Sequence, residues 1–491
     1  MKPNKLIASI GLALTCLVSI ATAQTNQTDK VETKAQRDTR THLTPPNIVF
    51  ILVDDLGWNE LGFMGAKFYE TPNIDQLAKD SLQFSDAYSA CCVCSPSRAA
   101  ILTGKYPARL HITDYLPGAP LPNKKLLPPR DWLKHLPPEE PNIAKTLKAA
   151  GYTTGIFGKW HLGDDEIYWP ENQGFDVNVG GCSKGAPASY FSPYSNPRIK
   201  DGPPGEFLSD RLTREAIAFM QDHQKQPFFV YLSHYAVHTP LAAKPEVIAK
   251  YEAKKKAGNF PQKANPVYAA LIESVDDSVG AVRKALADFK IADHTIILLT
   301  SDNGSRQPII TYPYFHGNKG SAYEGGVRVP LVINWPDVTK AGAVCHTPVI
   351  GVDLYPTILA MTGAKDFPNN IVDGVNLVPL IQGNELAPRD IYWHYPHYHK
   401  GGATPFSAIR DGDSRLIQFQ EDGHLELYNI KNDICETNNL TPEMPEKAKM
   451  LEGNVLRWRV QVGAQLAIPN PKYDPNFSKP NNHKKSNSDD N

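Results

Sequence analysis

The 491-residue chain has no surplus charge of either sign: 51 basic side chains face 52 acidic ones, for a formal net charge of −1. That balance excludes a protein that coats nucleic acid or another polyanion through bulk charge. Cysteine is scarce, at seven residues, too few over this length for a disulfide scaffold. No segment repeats at solenoid or propeller periods, and after residue 20 no apolar run is long enough to span a bilayer. Proline is not scarce; its 42 residues, dense over 116–141, predict long ordered surface loops. At 41% hydrophobic and 21% charged, the chain can bury a large core, which excludes global disorder. Its length allows two or three domains, or one large α/β domain.

The first residues are not part of the fold. Lys2 and Lys5 precede an apolar run over 6–20, and Ala21-Thr22-Ala23 is a small-x-small cleavage site. Residues 1–23 read as a secretory signal peptide, which the short run favours over a membrane anchor. Thr15 before Cys16 argues against a lipoprotein signal, and no twin arginine is present. Export as an unfolded chain is therefore expected, to the periplasm or beyond, with no stable membrane association. Residues 24–44 read as a linker, 45–390 as a catalytic domain and 391–468 as a smaller unit. Residues 469–491 form a low-complexity tail, disordered or loosely draped.

Between these ends, apolar strands alternate with amphipathic helices. Thr71-Pro72 opens a helix whose apolar positions are Ile74, Leu77, Ala78 and Leu82. A second helix, over 266–289, carries Tyr268, Leu271, Ile272, Val275, Val279, Val282 and Leu286. The alternation predicts an α/β fold, a large mixed but mostly parallel sheet sandwiched by helices. Four apolar runs then stop at chemically capable residues. Asn47–Val53 ends in Asp54-Asp55, and Tyr152–Phe157 ends in Gly158-Lys159-Trp160-His161. Phe228–Leu232 leads to His234 and His238, and Thr295–Thr300 to Asp302-Asn303-Gly304. Each alone could be a polar strand end meeting solvent. Ligand sites in open parallel sheets lie beyond the carboxyl ends of the strands, so together the four are expected to share one crevice.

Asp54, Asp55, Asp302 and Asn303 offer oxygen ligands only, the preference of a hard cation such as Ca²⁺ or Mg²⁺ rather than zinc. Their spacing is not that of an EF-hand loop, so any site must be assembled from two distant strands; Asp302-Asn303-Gly304 alone could be a simple turn. In Cys94-Ser95-Pro96-Ser97-Arg98, followed by Ala99-Ala100-Ile101-Leu102-Thr103-Gly104, proline and glycine bracket a short helix. Cys94 then lies at a helix N-terminus, which favours an anion, and Arg98 one turn on can return to it. A small buried core cysteine is the bland alternative.

These motifs resemble the formylglycine-dependent sulfatases of the alkaline phosphatase superfamily. The resemblance covers about 45–465 and rests on P-N-I-V-F-I-L-V-D-D, C-S-P-S-R-A-A-I-L-T-G, G-K-W-H-L-G, H-T-P-L, L-L-T-S-D-N-G and K-G-S-A-Y-E-G-G-V-R-V-P. It implies that Cys94 is converted to formylglycine by a formylglycine-generating or anaerobic sulfatase-maturating enzyme. It implies one calcium held by Asp54, Asp55, Asp302, Asn303 and the modified Cys94. Arg98, Lys159, His161, His238 and Lys319 match the residues around the sulfate, His161 as the base that releases it and His238 or Lys319 as proton donor. His234 has no counterpart and reads as structural. His316 stands where the family commonly has arginine, three residues before the loop lysine.

Asp411-Gly412 and Asp422-Gly423 punctuate short alternating strands over 407–430, as in a small antiparallel sheet. The preceding Ile391–Lys400 mixes aromatic, histidine and cationic residues that suit sugar faces and sulfates, metal binding or plain packing. The expected activity is hydrolysis of a sulfated carbohydrate. Alternatives are an arylsulfatase, a phosphatase or phosphonate hydrolase on the same scaffold, or a carbohydrate-binding pseudoenzyme.

Overall fold

The computed structural model describes residues 45–118 and 121–477. The signal peptide, the linker and the tail beyond 477 lie outside the described residues. In chain order the main strands are β1 (Asn47–Val53), β2 (Leu82–Phe84), β3 (Thr153–Gly158), β4 (Val177–Val179), β5 (Phe228–Ser233), β6 (Thr295–Ser301), β7 (Leu331–Asn334) and β8 (Val344–Cys345). They form one sheet in the order β8-β2-β7-β6-β1-β5-β3-β4, in which only β7 runs against the rest. The four runs that end in polar residues are the adjacent central strands β6, β1, β5 and β3. They are parallel, so their carboxyl ends share one edge.

Alternation along β1 shows why both faces are covered. Val49, Ile51 and Val53 join a core with α4 (Leu208–Asp222) and α5 (Pro266–Asp288), the fourth and fifth of the helices named here. Ile48, Phe50 and Leu52 join the opposite core with α2 (Cys94–Thr103), α3 (Ile143–Ala149) and α6 (Leu354–Thr362). A strand buried on both faces must be apolar, and β1 is from Ile48 to Val53, with Asn47 at its start hydrogen-bonded to Thr295 and Phe228 N. The helix expected at Thr71-Pro72 is α1 (Pro72–Lys79). It stops before Leu82, which belongs to β2, and the Thr71 hydroxyl donates to Asp75 at 2.9 Å instead of capping the backbone. The helix read over 266–289 is α5, with its seven named apolar residues buried.

The C-terminal part forms an antiparallel sheet of β9 (Ile391–Tyr395), β10 (Phe406–Asp411), β11 (Ser414–Phe419) and β12 (Leu425–Asn429), backed by α7 (Pro445–Val462). Trp393, Tyr395, Phe406 and Ile417 share a core with Val93 and Ala100, so this sheet buttresses the helix that carries Cys94. Arg415 of β11 pairs with buried Glu436 and donates to the carbonyl of Ala322 at 2.5 Å. Burial pushes Glu436 up to about 8, against the pull of Arg415. Past β12 and α7 the chain drapes back: Asn470 donates to the carbonyl of Lys124 at 2.7 Å, and Asp474 N to Asn123 at 2.8 Å.

Candidate active site

The register of β1 on β6 pairs Val53 with Ser301, so Asp54-Asp55 and Asp302-Asn303 leave the sheet side by side. Two glycines make close approaches possible around them. A Cβ on Gly158, at φ +115°, would lie 1.9 Å from the Ser233 carbonyl, which accepts from Lys159 N at 2.7 Å. A Cβ on Gly304 would lie 1.9 Å from the Gly325 carbonyl, so the D-N-G turn and the short helical turn Glu324–Val327 meet backbone to backbone. Asp55 (φ +65°) and His161 (φ +62°) both hold left-handed backbone, uncommon outside glycine and concentrated at functional sites.

Three buried carboxylates face three buried cations. Lys159 Nζ donates to Asp54 Oδ2 at 2.7 Å, and Lys319 Nζ to Asp55 Oδ1. Arg98 Nε donates to Asp302 Oδ2 at 2.8 Å, with Nη2 3.7 Å from Asp54 Oδ1. The Arg98 Nη1 group donates to Ser233 Oγ at 2.7 Å, and Ser233 in turn to the Lys159 carbonyl at 2.7 Å. Asp55 N donates to Asp302 Oδ1 at 3.1 Å, and Asn303 Nδ2 to Asp55 Oδ1 at 2.8 Å, locking the two acidic pairs together.

The balance leaves specific oxygens over. Asp54 Oδ1, Asp55 Oδ2 and Asn303 Oδ1 are buried with no hydrogen-bond partner. Burial raises Asp54 well above the usual carboxylate range, and Asp302 and Asp55 add to this against Lys159. Burial works the same way on Asp55, but Lys319 and His238 overcome it and hold that carboxyl low. Unpartnered oxygens of this kind, on a carboxylate short of positive charge, are the donor set a hard divalent cation requires. Asp54, Asp55 and His238 also bring one ligand atom each within 4.8 Å of one another. Calcium fits the residues present.

Cys94 is buried at the N-terminus of α2, its Sγ 3.4 Å from His161 Nδ1. The imidazole is fixed from its other side, where Nε2–H donates to the Leu116 carbonyl at 2.7 Å. Nδ1 is therefore an acceptor aimed at position 94 and at Ser95 Oγ, 3.2 Å away. Burial, and then Lys159, depress His161 well below its ordinary value and keep it neutral. His238 donates through Nδ1 to the Thr239 carbonyl at 2.6 Å and turns a bare Nε2 toward Asp55 Oδ2 at 3.6 Å. Burial lowers it to about 3.

A family model described as Sulfatase matches residues 46–364, and one described as N-sulphoglucosamine sulphohydrolase, C-terminal, matches 313–461. The chain belongs to the sulfatase family. It is a sulfuric ester hydrolase. The N-acetylgalactosamine-6-sulfatase of Mus musculus is 33% identical over 428 residues, 81% of this chain and 76% of that protein. Arylsulfatase A of Homo sapiens is 33% identical over 469 residues, 83% and 87% of the two chains. The crystal structure of Ps i-CgsB in complex with k-i-k-neocarrahexaose matches with 32% identity and a TM-score of 0.71, covering 85% of this chain and 93% of that one. The sulfatase fold is the alkaline phosphatase-like α/β fold expected from the sequence. Among the described residues no helix is long and apolar enough to cross a membrane.

Every site residue named from the sequence lies in or against this cluster. Ser233, Ser95 and the Leu116 carbonyl were not foreseen. Ser233 is the last residue of β5, one past the apolar run, where the strand-end rule points; Ser95 lies inside the cysteine motif. The Leu116 carbonyl has no sequence signal. The aromatic-histidine segment is mostly core. Trp393, His394, Tyr395 and His397 are buried, and Tyr392 stacks on Trp458 at 4.7 Å. His394 is held by Ser407 and the Gln465 carbonyl, and His397 by Thr113, so these two histidines are spoken for without a metal. His316 stacks on Tyr323 at 3.6 Å.

His234 is structural: buried, with Nε2 3.1 Å from Ser278 Oγ. Burial lowers it to about 4 from 6.5. The unfolded chain takes this proton below about pH 6.5 and the native state not until about pH 4, so folding stability is lost as pH falls through that window. The loss from this group should reach about 3 kcal/mol at pH 4. His234→Gln should flatten the stability-versus-pH curve by that amount between pH 7 and 4, measured by urea denaturation. An unchanged slope would rule out a buried neutral histidine.

Proposed function

We propose that the chain hydrolyses sulfate esters of carbohydrates, with Cys94 converted to formylglycine and one calcium ion held by Asp54, Asp55, Asp302, Asn303 and residue 94. The observation that carries this reading is the set of unpartnered buried oxygens on Asp54, Asp55 and Asn303, beside a helix N-terminal Cys94 that faces His161 Nδ1. When present, the metal supplies charge stabilisation for a sulfuryl group and the hydrated aldehyde supplies a hydroxyl nucleophile.

The chain's own residues do the rest. Arg98, Lys159 and Lys319 neutralise three carboxylates, so a bound dication leaves the pocket positive and receptive to a sulfate anion. His161 Nδ1, its tautomer held by Leu116, is placed to accept a proton from residue 94. Lys319, its ammonium held by Asp55, carries protons a leaving oxygen can take. His238 offers only a bare Nε2 until it is itself protonated. The complete cluster argues against a binding-only descendant, and the oxygen-rich donor set argues against a two-zinc phosphatase.

The carbohydrate assignment is supported by the relatives: one is named an N-acetylgalactosamine-6-sulfatase, and another was solved with a neocarrahexaose. The leader sequence supports a periplasmic or secreted site of action, and the unfolded export it implies calls for a maturating enzyme that modifies Cys94 in the cytoplasm. A panel of sulfated oligosaccharides and small phenyl sulfates, assayed for sulfate release with calcium, tests the reading. Glycans should be the better substrates. Rapid turnover of phenyl sulfates with every glycan untouched would overturn the carbohydrate assignment.

A further inference from the structure

The solvent side of Lys319 carries a cation that the cluster does not use. Arg306 is exposed, makes no ion pair among the described residues, and donates through Nη1 to Thr239 Oγ1 at 3.1 Å. Its neighbours on both sides belong to the site. Thr239 follows His238 and accepts from it, and Ser305 accepts from Lys319 N at 2.8 Å. The carboxylates of the cluster are already paired with Arg98, Lys159 and Lys319, so this guanidinium at the rim has no carboxylate of its own. Such a placement gains only when an anion arrives from outside.

A second group faces the same space. His399 packs on Gly320, where a Cβ would collide with its ring, and the Tyr115 ring meets it edge-on at 5.6 Å. Gly401 N donates to His399 Nδ1 at 2.9 Å, which leaves the proton on Nε2 as a donor. Burial first, then the charges of Lys319 and Arg306, lower His399 to about 4, consistent with these groups sharing one rim. Burial, and then Asp114, raise the Tyr115 phenol, with Lys319 and Arg306 pulling the other way.

We propose that Arg306 is a specificity-determining residue, selecting sulfate esters whose leaving group bears a second anion, carboxylate or sulfate, with His399 Nε2–H donating to the same leaving group. The inference rests on the proposed function for the location of the reacting sulfate. An exposed charge-assisted pair of this kind is worth about two- to fivefold in selectivity.

The test compares 4-nitrophenyl sulfate with its 3-carboxy and 3-sulfo analogues. The ratio of kcat/KM for each analogue over the parent is measured in the unaltered enzyme, Arg306→Ala and Arg306→Lys; comparing ratios cancels the intrinsic reactivity of the esters. The ratio should fall about two- to fivefold in Arg306→Ala, through KM, and be largely kept in Arg306→Lys. Whether the carboxy or the sulfo ratio falls further identifies the preferred anion. The same three esters are titrated by calorimetry onto Cys94→Ala with and without Arg306→Ala. Ratios unchanged within twofold in that binding series would overturn the proposal, whatever the turnover. If the unaltered enzyme hydrolyses no sulfate ester, the proposed function fails, and the affinity ratios still decide the role of Arg306.

Discussion

Cys94→Ala is expected to abolish sulfate release, by on the order of 10⁴-fold or more, the scale on which loss of a nucleophile acts. The fold should persist, because the one side-chain hydrogen bond Cys94 makes among the described residues is with His161 Nδ1 at 3.4 Å, and alanine suits a helix N-terminus beside the core of Val93 and Ala100. Cys94→Ser should be nearly as inactive unless the host oxidises serine too. The chemical reason is the exit of the product. A thiolate attacking sulfur would leave a stable S-sulfonate, whereas an aldehyde hydrate at position 94 keeps a second hydroxyl that can lose a proton, reform the carbonyl and expel sulfate. Mass spectrometry of the tryptic peptide ending at Arg98 should find an aldehyde or its hydrate at position 94. Fully active enzyme with only a thiol or disulfide there would sink the mechanism.

Asp302→Ala should be the second most damaging change, for two separable reasons. Asp302 Oδ2 receives Arg98 Nε and Nη2, both at 2.8 Å, so its loss leaves a buried guanidinium short of its main partner. Breaking a buried pair from one side costs roughly 3–5 kcal/mol of stability. Activity should fall on the order of 10²–10³-fold or more, since a metal supplies several kcal/mol of transition-state stabilisation. Calcium per chain should drop from about one toward zero. Asp302→Asn separates the effects: its amide oxygen still accepts from Arg98, so stability should recover more than metal content or activity. Full activity and metal content in Asp302→Asn, or after exhaustive chelation, would show that the cation site is misassigned.

Much of this was legible in the residues because strands buried on both faces leave an unmistakable mark. Ile48–Val53 is apolar without interruption since Val49 and Phe50 both face packed helices, and the polar residues that follow must therefore lie at the sheet edge. The helix at Cys94 was equally readable, since proline near its start and Gly104, left-handed at its end, bracket it. Composition left Ile391–Lys400 open between sugar binding, metal binding and plain packing. Tyrosine and histidine serve a sugar face and a buried hydrogen-bonded core equally well, and β9 uses them mostly as core. Leu82 misled for a similar reason: helical spacing continues past Lys79, but the chain turns at Asp80 and gives Leu82 to β2.

The sequence alone determined the sheet class, the strand ends, the cysteine at a helix N-terminus and the oxygen-rich acidic set, because each depends on a short stretch of residues and its local chemistry. Only the tertiary structure decided the protonation geometry. Which nitrogen of His161 faces Cys94 depends on a carbonyl at Leu116, and which oxygens of Asp54 and Asp55 stay free depends on Lys159 and Lys319. Asp55 and Lys319 are 264 residues apart in the chain. A hydrogen bond between groups so distant follows from how the sheet and its loops close in space, and no local pattern encodes it.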